Sequence, residues 1–246
     1  MMRRSRRRST VVCRLAIMVM FAHSAVAAPR TSTFATPEAA VTHFVQRMAA
    51  ADLDGALEAF AVDDYAAHFD FAKQARRLGS FMAGYLPAPP RYRLYRRINA
   101  IEAMRDAANQ SLHFAVQLVV DESELTRSDP GMPDASARAG VLATALAKLQ
   151  PLRLVRIDQP RKSITRKPEA LAMFRDQAAP DGADDATERI ALLELAGQHY
   201  QCGFRLLKYG NTWRIKDLTS YFASEAHSGL FGVEKVTPEA FDAATK

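Results

Sequence analysis

Asp217 is the acid whose place in the sequence points to chemistry. It follows Trp213 and Ile215 in alternation, so in strand phase it shares their apolar face. A carboxylate turned into an apolar pocket loses hydration, its pKa rises, and it becomes a candidate general acid or base. The alternative is that the strand ends or twists at Lys216 and leaves Asp217 in water. Tyr65 and His68 lie three apart on an expected helix and share a face. Beside a carboxylate, such a pair can polarise a carbonyl or relay a proton. The competing reading makes them amphipathic edges of a packed helix, with polar tips reaching solvent or a backbone carbonyl.

Other chemistry is sparse. His43, His113, His199 and His227 are scattered, and the chain has no HExxH, Cys–His zinc spacing or acidic calcium loop. It also lacks a phosphate loop, a dinucleotide fingerprint and a Gly-x-Ser-x-Gly elbow. The expectation is therefore no metal and no cofactor. Cys202 falls in phase with Tyr200, Phe204 and Leu206 and reads as a small core residue. Arg91, Arg93 and Arg97 flank Tyr95 on one face of an expected strand. A solvated face with cross-strand ion pairs is the first reading of that cluster, a partner-docking surface the second and nucleic acid the third.

Three short helices are expected first. Thr36-Pro37-Glu38 is a helix start, with Thr36 as N-cap and Pro37 in the first turn. Val41, Phe44, Val45 and Met48 then recur on one face. Asp52 caps a second helix. A third runs from about Asp63 through Tyr65, Phe69, Leu78 and Met82 to Tyr85 and ends at Pro87. The period then switches to two. Tyr92 to Ile98 and Leu112 to Val120 read as half-buried strands joined by a polar turn at 105–110. Residues 121–134 read as an acidic loop, 135–150 and 168–177 as helices, and 152–157 as a short strand. Strands follow at 190–195 and 200–206, then a Gly210-Asn211 hairpin turn and a strand through Trp213 and Ile215.

The N-terminus has the organisation of a secretory signal peptide. Six arginines and no acid precede the apolar run Leu15 to Ala22, and Ala25-Val26-Ala27 offers a cleavage site. Cleavage there removes six of 33 basic residues and leaves 27, equal to the 27 acidic ones. The basic pI thus belongs to the leader, which argues against a nucleic-acid partner. The apolar run is too short to span a bilayer, which takes about 20 residues. Arg6-Arg7 lacks the apolar pair of a twin-arginine signal, so the general secretory route is expected. Cys202 is the single cysteine after the leader, so stability must come from a core without disulfides. The arginine and alanine bias points to a bacterial periplasmic or secreted protein.

The opening Thr36-Pro37-Glu38-Ala39-Ala40-Val41 with Ala51-Asp52-Leu53-Asp54-Gly55-Ala56-Leu57, and the closing Gly210-Asn211-Thr212-Trp213-Arg214-Ile215, resemble the nuclear transport factor 2-like superfamily. The resemblance covers roughly residues 36–121 and 187–222. It implies an α+β cone, with N-terminal helices packed in a curved antiparallel sheet around a pocket and a helix/strand insertion at about 122–186. It leaves function open, since members include isomerases, dehydratases and cyclases as well as proteins that only bind. The organisation expected is a leader at 1–27, a linker at 28–35, the cone domain at 36–222 and a weakly patterned tail at 223–246. The function expected is non-catalytic binding of a small apolar ligand or a protein partner, through the pocket or an exposed sheet face. A homodimer fits this fold type. The alternative is a cofactor-free isomerase, dehydratase or cyclase using Asp217, Tyr65 and His68.

Overall fold

Thr36 starts the first helix as its type and position require. Its hydroxyl accepts from the Ala39 amide at 3.1 Å, and Pro37 opens α1 (Pro37–Ala49). Asp52 does the same for α2 (Leu53–Leu57), accepting from the Gly55 amide at 2.9 Å. The structure is a computed structural model and describes residues 32–78, 89–119, 146–223 and 230–246. The leader, the linker up to residue 31, the loop 121–134 and most of the helix expected at 135–150 lie outside the described residues.

The third expected helix is two helices, α3 (Val62–His68) and α4 (Phe71–Leu78). Phe69 leaves helical geometry with φ −50° and ψ 123°. The Asp70 carboxylate then accepts from the Lys73 amide at 2.9 Å and starts the chain again. Met82 and Tyr85, at its expected far end, lie outside the described residues.

The larger correction is α5 (Arg93–Val119). One 27-residue helix replaces the two strands expected at 92–98 and 112–120. Its buried residues are Asn99, Ala107, Ser111, Phe114, Ala115 and Leu118, which share one side of a 3.6-residue period. Between 93 and 119 there is no glycine or proline to interrupt it. Leu112 and Val116, which set the apparent alternation, are only half-buried flanks of that stripe.

After α5 come β1 (Arg153–Asp158), α6 (Lys162–Thr165), α7 (Pro168–Ala178), β2 (Asp185–Leu195), β3 (Gln198–Tyr209) and β4 (Thr212–Asp217). The last part holds β5 (Thr219–Ser220), β6 (Leu230–Phe231), β7 (Val233–Lys235) and α8 (Pro238–Thr245). The main sheet is antiparallel in the order β1-β2-β3-β4, with β7 also paired to β3. β1 is thus part of the sheet, and residues 230–246 build strands and a helix where a weakly patterned tail was expected.

Alternate residues of the long β2–β3 hairpin belong to different cores. Leu193, Cys202, Phe204 and Leu206 join α1, α2 and α5 on one face. Phe44 is central there, with ring centroids 5.6 Å from Phe60, 5.1 Å from Phe114 and 5.9 Å from Phe204. On the other face Leu207 and Tyr209 meet Phe174 and Ala178 of α7, while Ile190 and Leu192 meet Phe241 of α8. Both faces of this hairpin are therefore covered, unlike the exposed sheet face expected. Gly203 makes one close approach possible, since a Cβ there would meet the Ser220 amide at 2.6 Å.

The outer edge of β4 is closed by other chain. Trp213 donates to the Phe34 carbonyl at 2.8 Å, Ile215 donates to Ala59 at 2.8 Å, and Ala61 donates back to Ile215 at 2.9 Å. These bonds bring the start of α3 to the end of β4, where the candidate groups gather.

Candidate functional site

β4 holds a β-bulge that decides where its charges go. Ile215 pairs with Leu206 and Asp217 pairs with Arg205, so Lys216 is an extra residue. Cross-strand partners point to the same side. Asp217 therefore turns to the side of Arg205, away from the face of Ile215 on which the alternation placed it. Arg205 Nη2 and the Thr219 hydroxyl both donate to its carboxylate.

Lys216 packs against Tyr65, with Nζ 3.5 Å from the ring centroid, and donates to Asp181 Oδ1 at 3.4 Å. Burial and nearby Arg205 lower its pKa, against the opposing pull of Asp181. Burial, together with Asp181, Glu102 and Asp106, pushes the Tyr65 phenol up, so it stays protonated and can only exchange hydrogen bonds. Tyr209 is pushed up in the same way and donates to the Asp181 carbonyl at 3.1 Å.

Tyr65 and Asp217 line one pocket of about 250 Å³ between α3, α5 and β4. Phe60, Val62, Ala103, Ala107 and Ile215 form its apolar part. Glu102 and Asp106, one turn apart on α5, supply carboxylates to the wall, and neither forms an ion pair among the described residues. Gln110 fixes the wall by accepting from the Leu218 amide at 2.7 Å. His68 is not in this wall. Its Nδ1 bonds the Asp64 carbonyl at 2.8 Å, and its ring lies 5.8 Å from Tyr209. The structure thus joins two of the three residues singled out by sequence and leaves the third outside.

Two buried charges escaped the sequence reading. Arg214 is 3% exposed, donates to Asp64 at 3.2 Å and to the Glu58 carbonyl at 2.9 Å, and covers the Phe34 ring. It clamps the α2–α3 segment to the sheet. Glu188 is 1% exposed and accepts from the Ser220 hydroxyl at 2.6 Å and the Phe222 amide at 3.1 Å. Burial raises its pKa against these bonds and the opposing charge of Arg205. Its signal was present in the sequence, since Ala186, Glu188, Ile190 and Leu192 alternate.

Among the described residues no group of three His, Cys, Asp or Glu could hold a metal. Cys202 is fully buried, and burial pushes its thiol well above the usual range. No helix of the described residues is long and apolar enough to cross a membrane.

No family model matches the sequence, and no curated protein matches it. Among solved structures it is similar to a cystatin-like protein from Ruminococcus gnavus ATCC 29149, with a TM-score of 0.55 and 19% identity. The alignment covers 80% of this chain and 44% of the other, so the chain spans less than half the length of that neighbour. The likeness is one of fold, a mixed α+β arrangement around an antiparallel sheet.

Proposed function

We propose that this chain is a secreted, non-catalytic binding or accessory protein that takes a small ligand into the pocket between α3, α5 and β4. The observation that carries the reading is the composition of that wall: an apolar part from Phe60, Val62 and Ile215 beside the carboxylates of Glu102 and Asp106, which form no ion pair among the described residues. At about 250 Å³ it lies just under the range of roughly 300–1,000 Å³ that drug-sized ligands fill. The ligand it suits has a short apolar body and a cationic or hydrogen-bond-donating end. The nuclear transport factor 2-like resemblance supports the same reading, because an α+β cone carries its pocket between helices and sheet. The arginine-rich leader supports export to a bacterial periplasm or beyond.

Two features weigh against the isomerase, dehydratase or cyclase alternative. Asp217 already receives Arg205 and Thr219, and His68 is bonded to its own helix backbone. A general base must reach the proton it removes, and this set does not converge on one substrate.

Short-chain alkylamines are the probes for a thermal-shift titration. They should raise the unfolding temperature of the native protein, and Ala103→Phe, which fills the pocket, should abolish the rise. No shift with any chain length, or an equal shift in Ala103→Phe, would overturn the assignment. Turnover of a carbonyl substrate that is lost in Asp217→Asn would restore the enzyme alternative.

A further inference from the structure

The first turns of α5 carry an exposed basic and apolar surface that the pocket does not use. Residues 91–98 are exposed on every side. Leu94, Ile98 and Ile101 are 64%, 40% and 61% exposed and recur at i, i+4 and i+7. That stripe lies opposite the face through Asn99, Ala103 and Ala107 that packs inward. An apolar stripe aimed outward on a helix with a second, buried stripe marks an interaction surface. Arg93, Arg97 and Arg105 border it and Tyr92 and Tyr95 stand at its end, all exposed. No acid occurs from Arg91 to Ile101, and the exposed Glu102 and Asp106 that flank Arg105 lie toward the pocket wall.

We infer that this face of α5 docks on an anionic phospholipid surface. Three physical points select that partner. Apolar side chains between arginines and tyrosines match the interface of a bilayer, where Leu and Ile enter the acyl boundary and Arg and Tyr stay at the headgroups. A second copy of the chain set on this face would bring Arg93, Arg97 and Arg105 against themselves, and like charges oppose such pairing. The arginines also supply attraction that the short apolar stripe lacks alone, since stable surface binding takes two signals. This docking is independent of the pocket ligand.

Each arginine near an anionic surface strengthens binding about fivefold. The test is cosedimentation of the purified protein with phosphatidylcholine vesicles, with and without phosphatidylglycerol. The expected result is binding that needs phosphatidylglycerol and weakens as salt rises. Arg93→Gln with Arg97→Gln should weaken it about 25-fold, two such steps. Ile98→Gln with Ile101→Gln should weaken it as well, without change in helical circular dichroism, because all four side chains are exposed. No binding to anionic vesicles would overturn the inference. So would equal binding to neutral vesicles, or binding unmoved by either pair of substitutions. A salt-sensitive complex with an acidic protein, or a dimer broken by the isoleucine substitutions, would also overturn it if vesicle binding is absent.

Discussion

Glu188 is the charge on which pH should act most visibly. It is 1% exposed on β2, and its Oε2 receives both the Ser220 hydroxyl at 2.6 Å and the Phe222 amide at 3.1 Å. Glu188→Ala orphans two buried donors, each at about 1–3 kcal/mol. Removing a buried carboxylate returns part of that, so the net loss should be about 2–3 kcal/mol near neutral pH. At about 2–4 °C per kcal/mol for a domain of this size, the unfolding midpoint should fall by about 4–12 °C. Glu188→Gln keeps the shape and one acceptor oxygen and should lose less. The pH dependence separates charge from shape. Burial raises the pKa of Glu188 in the folded state, so the folded protein binds its proton more tightly than the unfolded chain does. Stability from this group is full below the ordinary glutamate value and is lost as pH rises through the raised folded value, with a slope of at most about 1.4 kcal/mol per pH unit. Urea unfolding of the native protein and both variants from about pH 4 to about pH 8 reads that slope. Glu188→Gln should lack it. An identical slope in Glu188→Gln, or an Ala variant within about 0.5 kcal/mol of the parent, would refute the reasoning.

Lys216 should show the opposite sign. Its folded pKa is lowered chiefly by burial, so its contribution is full above the ordinary lysine value and lost as pH falls through the folded value. Lys216→Met should flatten that limb in urea unfolding on the alkaline side of neutrality. Phe44→Ala opens a cavity beneath Phe60, Phe114 and Phe204 and should destabilise by about 3–5 kcal/mol, measured by the same method. Cys202, fully buried with its thiol pushed up by burial, should react with a maleimide only at the rate of global unfolding. Fast native labelling would show that β3 opens locally.

Where local chemistry decides structure, the sequence was readable. Thr36-Pro37 and Asp52 announce α1 and α2 through caps that need no distant partner. Tyr200, Cys202, Phe204 and Leu206 lie on a face of β3 that is buried as their alternation requires. Gly210 has φ +60° at the hairpin, a conformation glycine tolerates best. The errors have equally local causes. Leu112, Phe114, Val116 and Leu118 alternate, yet four such residues also fit a broad helical arc, and Ala103, Ala107 and Ser111 carry the period that wins. Thr237-Pro238-Glu239 repeats the start signal of α1 and does open α8, with the Thr237 hydroxyl accepting from Ala240 at 3.2 Å. That signal was present and went unread. The candidate site was the least legible part. One inserted residue in β4 reverses the phase of Asp217, and nothing in the composition of Trp213 to Asp217 announces a bulge. Tyr65 and Asp217 come to the same pocket only because Ala59 and Ala61 bond to Ile215, a long-range pairing no short motif encodes.

The hydrogen bonds between β4 and Phe34, Ala59 and Ala61 also bear on how this protein behaves when crowded. A bare strand margin recruits other chains into fibrils or swapped assemblies. Here one end of the main sheet is sealed by irregular backbone, and β7 occupies the part of β3 that β4 leaves open. Among the described residues the longer open margin is that of β1, beside the three-residue β7, and β1 bends out of register between Leu154 and Arg156. Arg153 and Arg156 stand there as charged gatekeepers. Replacing both with valine would turn that margin into a template for aggregation.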